Sequence, residues 1–198
     1  VRWTQIPHNW DNSVHLKIMT RNEAIQKLAE WDRKGRCVFA TQDLARLFPA
    51  DSPGAFNKGL DRLVKAGILR RACRGVYVNP NAASRDRFLP ERIALILRRG
   101  EYSYLSLESM LSELGVISQI PLDRLTVMTT GRKGEYRTPF GVIEFNHTKR
   151  SVSDIVKNSY RVEGRPMRIT NAQTAWRDLK RVGRNTHLVD REALHEHG

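Results

Sequence analysis

Residues 38–80 constrain this chain more than any other stretch, because prolines and glycines cut them into pieces too short for anything but brief helices and a hairpin. They read VFATQDLARLFPADSPGAFNKGLDRLVKAGILRRACRGVYVNP. Thr41 is a good N-cap for a helix over 42–48, with Leu44, Ala45, Leu47 and Phe48 on one side. Pro49 and the polar residues after it stop that helix. A second helix starts near Ser52, accepts Pro53 in its first turn and runs to Ala66, with Gly67 as its C′ residue. Phe56, Leu60, Leu63 and Val64 form one buried stripe, which leaves Asn57, Lys58, Asp61, Arg62 and Lys65 on the other face.

Two short helices joined by a tight turn, the second with a polar and basic outer face, predict a helix-turn-helix. Ile68 and Leu69 then begin a strand, Arg70, Arg71 and Arg74 surround a turn ending at Gly75, and residues 76–78 return as a second strand. That is a hairpin with a cationic tip, the form of a wing. Between Lys58 and Arg74 six basic residues face one acid, Asp61. Such density suits phosphate contacts and salt-dependent DNA binding; the competing reading is a solvated basic face on a small α+β domain.

Charge elsewhere points the same way. The 198 residues carry 34 Lys and Arg against 21 Asp and Glu, a net +13, so a polyanionic partner is expected. Up to Ala82 the chain is +7 and beyond it +6. No apolar run approaches a membrane span, and no lipidation signal is apparent. Cys37 and Cys73 are too few for a disulfide framework and lack zinc-site spacing, so a reducing cytoplasm is the expected setting.

Residues 1–18 show neither helical nor strand periodicity, and Met19 precedes a capping-box spelling, Thr20 to Glu23. Met19 therefore reads as a possible native start, with 1–18 a leader translated from upstream or foreign to the protein. Against that, Trp3, Ile6 and Trp10 are costly to leave in water, which predicts packing on the body or on a second subunit. A helix over 21–34 buries Ala24, Ile25, Leu28 and Trp31. Residues 81–87 are small and polar and read as a linker between a first domain, 19–82, and a second, 86–198.

The second part opens with a helix over 88–98 and a strand over 101–105; Ser106 then caps a helix that ends at Gly115. Strands over 125–130, 135–138 and 141–147, joined by the basic turn 131–134 and by Pro139, read as an antiparallel meander. A final helix covers 172–182, and the His195-Glu196-His197-Gly198 tail reads as frayed.

Chemistry is sparse. Glu144 and Lys149 lack the spacing of a Mg²⁺ nuclease, although Asp123 could oppose Glu144 across a sheet. His147 suits a structural hydrogen bond better than a base, and the two histidines flanking Glu196 sit in the tail, a poor place for a metal site. Arginines beside Cys73 could lower its pKa, but no partner for a nucleophile or redox pair is near in sequence. No catalytic residue, metal site or cofactor is assigned.

The order of elements resembles the AbiEi family of bacterial antitoxins, found in type IV toxin-antitoxin and abortive-infection systems. The residues that carry the resemblance are FATQDLARLF at 39–48, RGVYVNP at 74–80 and YSYLSLESMLSELG at 102–115, followed by LTVMTTGRK, GVIEFNHT and RITNAQTAWRDL. Together they span about 20–182; the closing helix reads NAQTAW where the family more often has a PEKA-like stretch. The resemblance implies an α+β chain, with an N-terminal winged helix-turn-helix domain and a C-terminal mixed α/β antitoxin domain carrying a small antiparallel sheet. It also implies a non-enzymatic autorepressor that binds inverted repeats in its own promoter, assembles cooperatively or as a dimer there, and counteracts a nucleotidyltransferase toxin. A stand-alone winged-helix regulator and a Mg²⁺ nuclease are the alternatives.

On this reading Asn57 and Arg62 reach base edges, helped by Lys58 and Lys65, while Thr41 and Gln42 flank the groove. Arg70, Arg71 and Arg74 hold phosphates from the wing, and Arg132, Lys133, Lys149 and Arg150 form a second phosphate-contacting surface.

Overall fold

A computed structural model describes residues 19–118 and 123–197; the expected leader, 1–18, lies outside the described residues. Thr20 Oγ accepts the Glu23 N–H at 3.2 Å and starts α1 (Arg21–Arg33), whose Ala24 and Leu28 are buried. Ile25, expected inside, is exposed. A three-residue strand, β1 (Val38–Ala40), leads into α2 (Thr41–Leu47). Ser52 Oγ accepts from Ala55 N at the start of α3 (Pro53–Lys65), and Gly67 ends it with φ +69°, a conformation side chains resist. The hairpin strands are β2 (Arg70–Cys73) and β3 (Val76–Val78). Ile68 and Leu69 do not begin the strand as expected: both donate their N–H to Leu63 O, capping α3. These strands form one antiparallel sheet in the order β1-β3-β2.

Beyond it come α4 (Leu89–Leu97), β4 (Ser103–Leu105), α5 (Leu107–Glu113), β5 (Arg124–Thr129), β6 (Gly134–Thr138), β7 (Gly141–His147), α6 (Val152–Lys157), β8 (Arg168–Ile169), α7 (Ala172–Val182), a 3₁₀ turn (Thr186–Leu188) and α8 (Arg191–Glu196). The fold is mixed α+β. The expected antiparallel meander is not formed: the second sheet is mixed, in the order β6-β7-β5-β4-β8, with β7 parallel to β5 and β8 parallel to β4. The reason lies in side chains. β7 carries Ile143 and Phe145, both buried, whereas β6 alternates between exposed and half-buried positions, so the apolar strand takes the interior and β6 the edge. The tail is also more ordered than expected, since Asp190 accepts from Glu192 N and Ala193 N and caps α8, which includes His195 and Glu196.

Among the described residues the core forms two apolar clusters. One joins Phe39, Leu44, Phe48, Phe56, Leu60, Leu63 and Tyr77 between α1, α2 and α3. The other is larger, and it runs from Cys37, Val38, Val76 and Val78 through Leu89 and Ile93 into the second sheet and α7. The first sheet is thus sandwiched, one face on its own helices and the other on α4. The expected linker is pinned rather than free. Ala83 N and Ser84 N donate to the Asp32 carboxylate at 2.8 and 2.9 Å, and Ala82 is buried. The hydrogen bonds from Ser84 and Ala83 hold the Asp32 carboxyl below its ordinary range.

Asp43 reinforces that junction. Its buried carboxylate accepts from Ala40 N at 3.0 Å, which makes Ala40, not Thr41, the cap residue of α2. It also pairs with Arg36 and takes a bidentate contact from Arg99, just past α4, at 2.9 and 2.6 Å. These partners, Arg99 foremost, lower its pKa from 3.8 to about 2. A depressed carboxyl contributes stability that is complete above pH 3.8 and is lost as pH falls towards 2, worth about 1–2 kcal/mol once the half-exposed Arg99 is discounted for solvent screening. Asp43→Asn should therefore be less stable than the parent at pH 6 and indistinguishable from it near pH 2 in urea titrations. A gap that stays constant over that window would refute the assignment.

Candidate nucleic-acid interface

The buried stripe of α3, Phe56, Leu60 and Leu63, fixes what points outward: Asn57, Lys58, Asp61, Arg62 and Lys65 are all exposed. Val64, expected in the stripe, is only half-buried, and Gly59 takes an interior place instead. The reason is Met19, whose methyl group lies where a Gly59 Cβ would stand, 2.4 Å away. Met19 N donates to the Asp51 carboxylate, and Arg62 reaches Met19 O at 3.5 Å.

On the hairpin, Ala72 faces inward while Arg70, Arg71 and Arg74 are exposed. Gly75 turns the chain at φ +80°, and its carbonyl accepts the Thr41 N–H at 2.9 Å, which ties the hairpin tip to the start of α2. Thr41 is half-buried beneath that turn, and Gln42 beside it is exposed. Arg71 Nε makes a long contact, 3.4 Å, to Cys73 O, and the Arg70 guanidinium lies 5.2 Å above the Phe140 ring. Cys73 is not activated: burial raises its thiol pKa, against the opposing pull of Arg71.

Arg132 and Lys133 are exposed on the turn between β5 and β6. The turn is held by its backbone, with Arg132 O accepting from Arg98 Nε and Nη2 at 3.0 and 2.7 Å. The end of β7 closes against it: Thr148 N donates to Thr129 O, and His147 Nδ1 lies 2.9 Å from Gly131 O, the structural bond expected of that histidine. Lys149 is exposed beside it. Arg150 does not belong to this surface. Its side chain is 5% exposed and paired at 2.5 Å with Asp178, which is fully buried on α7. Lys149 and Arg150 look alike in the sequence, and only the buried carboxylate of Asp178 separates them.

Pairing divides the cations sharply. Arg36, Arg92, Arg99, Arg124, Arg150, Arg165 and Arg184 are each engaged by carboxylates. Among the described residues Lys58, Arg62, Lys65, Arg70, Arg71, Arg74, Arg132, Lys133 and Lys149 form no salt bridge. Exposed cations without a salt bridge therefore line α3, the hairpin and the residues flanking β6 and β7, and others lie on α1, the 85–87 segment and α7, among them Arg21, Arg33, Arg85, Arg87, Arg177 and Arg181. Sequence reasoning missed Arg137, 81% exposed on β6, the strand against which β2 packs, with Glu135 3.1 Å from its Nε. The alternation of Glu135 and Arg137 along β6 was the available signal.

Glu144, the carboxylate weighed for a metal, is already engaged by Arg124 at 2.8 Å and by Arg184, with Asn146 donating to the same group. These contacts outweigh burial and lower its pKa. Cations at both oxygens oppose a divalent ion there.

No family model matches the chain, and no curated protein matches it. Among solved structures it is similar to the RV2827C protein from Mycobacterium tuberculosis, with a TM-score of 0.48 and 18% identity over 74% of this chain and 52% of that one. The chain thus spans about half the length of that protein.

Proposed function

We propose that residues 19–82 form a winged helix-turn-helix that binds double-stranded DNA, with α3 reading the major groove and the β2–β3 hairpin holding phosphates as its wing. One observation carries this reading. All six basic side chains between Lys58 and Arg74 are exposed on α3 and the hairpin, the two places where such a fold contacts DNA, and none of them forms a salt bridge among the described residues. Neutralising phosphates with exposed, unpaired side chains releases counterions without first breaking protein ion pairs. Arg132, Lys133 and Lys149 would extend the contact from the second sheet. The resemblance to AbiEi antitoxins supplies the biological role: a cytoplasmic repressor of its own promoter and antitoxin to a nucleotidyltransferase toxin. A toxin-like gene immediately downstream would distinguish that role from a stand-alone regulator.

The first test is a salt-titrated gel shift on the protein's own upstream region against a scrambled duplex. A specific complex that survives salt is the expected result; equal, salt-labile binding to both duplexes would reduce the reading to general polyanion affinity. Within it, Asn57→Ala should chiefly erode sequence preference, by about 1–3 kcal/mol at one base position. Arg71→Ala should weaken binding to every duplex alike and lower the salt slope by about one. The same loss on cognate and random DNA from both variants would contradict the division of labour.

A further inference from the structure

We infer that the outer stripe of α7 is a second phosphate-binding face, which holds a separate segment of duplex DNA, so that one molecule bridges two segments. The helical repeat places Gln173, Arg177, Lys180 and Arg181 within one arc of α7, at i, i+4, i+7 and i+8, and all four are exposed. The one acid of the helix, Asp178, is buried and turned to Arg150. Arg191 joins the stripe from α8: its guanidinium and Lys180 Nζ lie 5.4 and 5.2 Å over the Trp176 ring. None of these four cations forms a salt bridge among the described residues, although α8 also carries the exposed Glu192 and Glu196.

Alternation of side chains along the second sheet fixes the side of the molecule on which the stripe lies. Thr126 of β5 and Glu144, opposite it on β7, face α5 and the end of α7. Ser109 N donates to Thr126 Oγ1 at 3.0 Å, and Arg184, two residues past α7, engages both Glu144 and Glu108. The next pair, Val127 and Phe145, faces the other way, where the Arg98 guanidinium at the end of α4 stands 4.1 Å over the Phe145 ring and α4 packs on β1 and β3. The cations of α7 are therefore across the second sheet from α4 and the first sheet, and they do not extend the surface of α3 and the hairpin. The occupant follows from the chemistry of the stripe. Three of its four cations are arginines, whose planar forks match phosphate oxygens. None of the six large apolar side chains exposed among the described residues is on α7, so the stripe lacks the anchor around which a protein interface is built, whereas a phosphodiester backbone asks only for charge and donors. That a single molecule bridges two duplexes rests on the reading of α3 given above; the phosphate site on α7 does not.

The test is a bridging assay at physiological salt. The full chain is loaded on a bead-bound duplex of its own upstream region, and a labelled random duplex is then added. The parent should retain the labelled duplex. Arg177→Ser/Lys180→Ser/Arg181→Ser should retain it about fivefold less or worse, while its affinity for the bead-bound duplex stays within about twofold and its circular dichroism is unchanged. A parent that never holds a second duplex would overturn the inference. So would a triple variant that bridges as the parent does at equal bead occupancy, since pairs of molecules would then bridge through their α3 faces. Anisotropy on the random duplex alone separates this outcome from a failure of the α3 reading. If the upstream region is not preferred, the α7 triple variant should still weaken random-duplex binding by about tenfold while Arg70→Ala/Arg71→Ala/Arg74→Ala leaves it unchanged, and the reverse pattern would overturn the α7 site itself.

Discussion

Asp178→Ala should cost about 3–5 kcal/mol and lower the melting temperature by roughly 10 °C or more, the largest effect expected of any single substitution in this protein. Asp178 is fully buried on α7 and pairs with Arg150, while Tyr104 and Ser106 donate to its Oδ2 at 3.2 and 2.9 Å. Removing it strands a guanidinium that is 5% exposed and whose Nε and Nη1 already lack hydrogen-bond partners, together with two hydroxyls. Asp154, 3.7 Å from Arg150 Nη1, lies too far out to substitute. Burial and the neighbouring Asp178 charge raise the Tyr104 pKa, so that hydroxyl stays protonated as a donor. The double variant Asp178→Leu/Arg150→Met removes both charges and should recover most of the loss, because the penalty belongs to an unpaired charge rather than to the pair. Thermal denaturation followed by circular dichroism decides it: a midpoint within a degree or two of the parent in Asp178→Ala would show that Arg150 finds water.

Replacing Arg70, Arg71 and Arg74 together by alanine should weaken DNA binding by about a hundredfold at physiological salt and reduce the logarithmic salt slope by up to about 2.7, roughly 0.9 for each phosphate released. All three side chains are exposed and unpaired, while Ala72, Val76 and Val78 supply the buried contacts of the hairpin, so the fold should be retained. The Arg70 guanidinium stands 5.2 Å over the Phe140 ring, which makes it the arginine whose single replacement should cost least. Fluorescence anisotropy at several salt concentrations is the measurement. Unchanged affinity with an unchanged slope would remove the hairpin from the interface and leave α3 alone.

Much of the local structure was legible in the sequence because it is decided locally. Thr20, Ser52 and Gly67 announce α1 and α3 through caps that each need only a few neighbours. The exposed basic face of α3 followed from the spacing of Phe56, Leu60 and Leu63. What the sequence did not disclose depends on partners far along the chain. Three strands were placed within a residue or two, yet β7 pairs in parallel with β5, a choice made by the apolar content of β7 against that of β6. Thr41 looked like a cap, but the cap residue of α2 is Ala40, whose N–H donates to Asp43; Ser106 does stand at the N-cap of α5, with its hydroxyl donating to Asp178 rather than serving the helix. Arg150 seemed one more surface cation beside Lys149 until α7 brought a buried carboxylate to it. Short polar helices such as α6, held by the Ser151 cap and a single buried Ile155, give too little periodicity to stand out.

The sandwiching of the first sheet has a consequence for synthesis. Cys37, Val38, Val76 and Val78 belong to the cluster completed by Leu89 and Ile93, so a nascent chain that has released residues up to about 80 carries an uncovered strand face into the cell. That face stays wet until α4 has cleared the ribosome, and Arg99 reaches Asp43 only after that. The first sheet thus matures late, on a schedule set by the half of the protein that follows it.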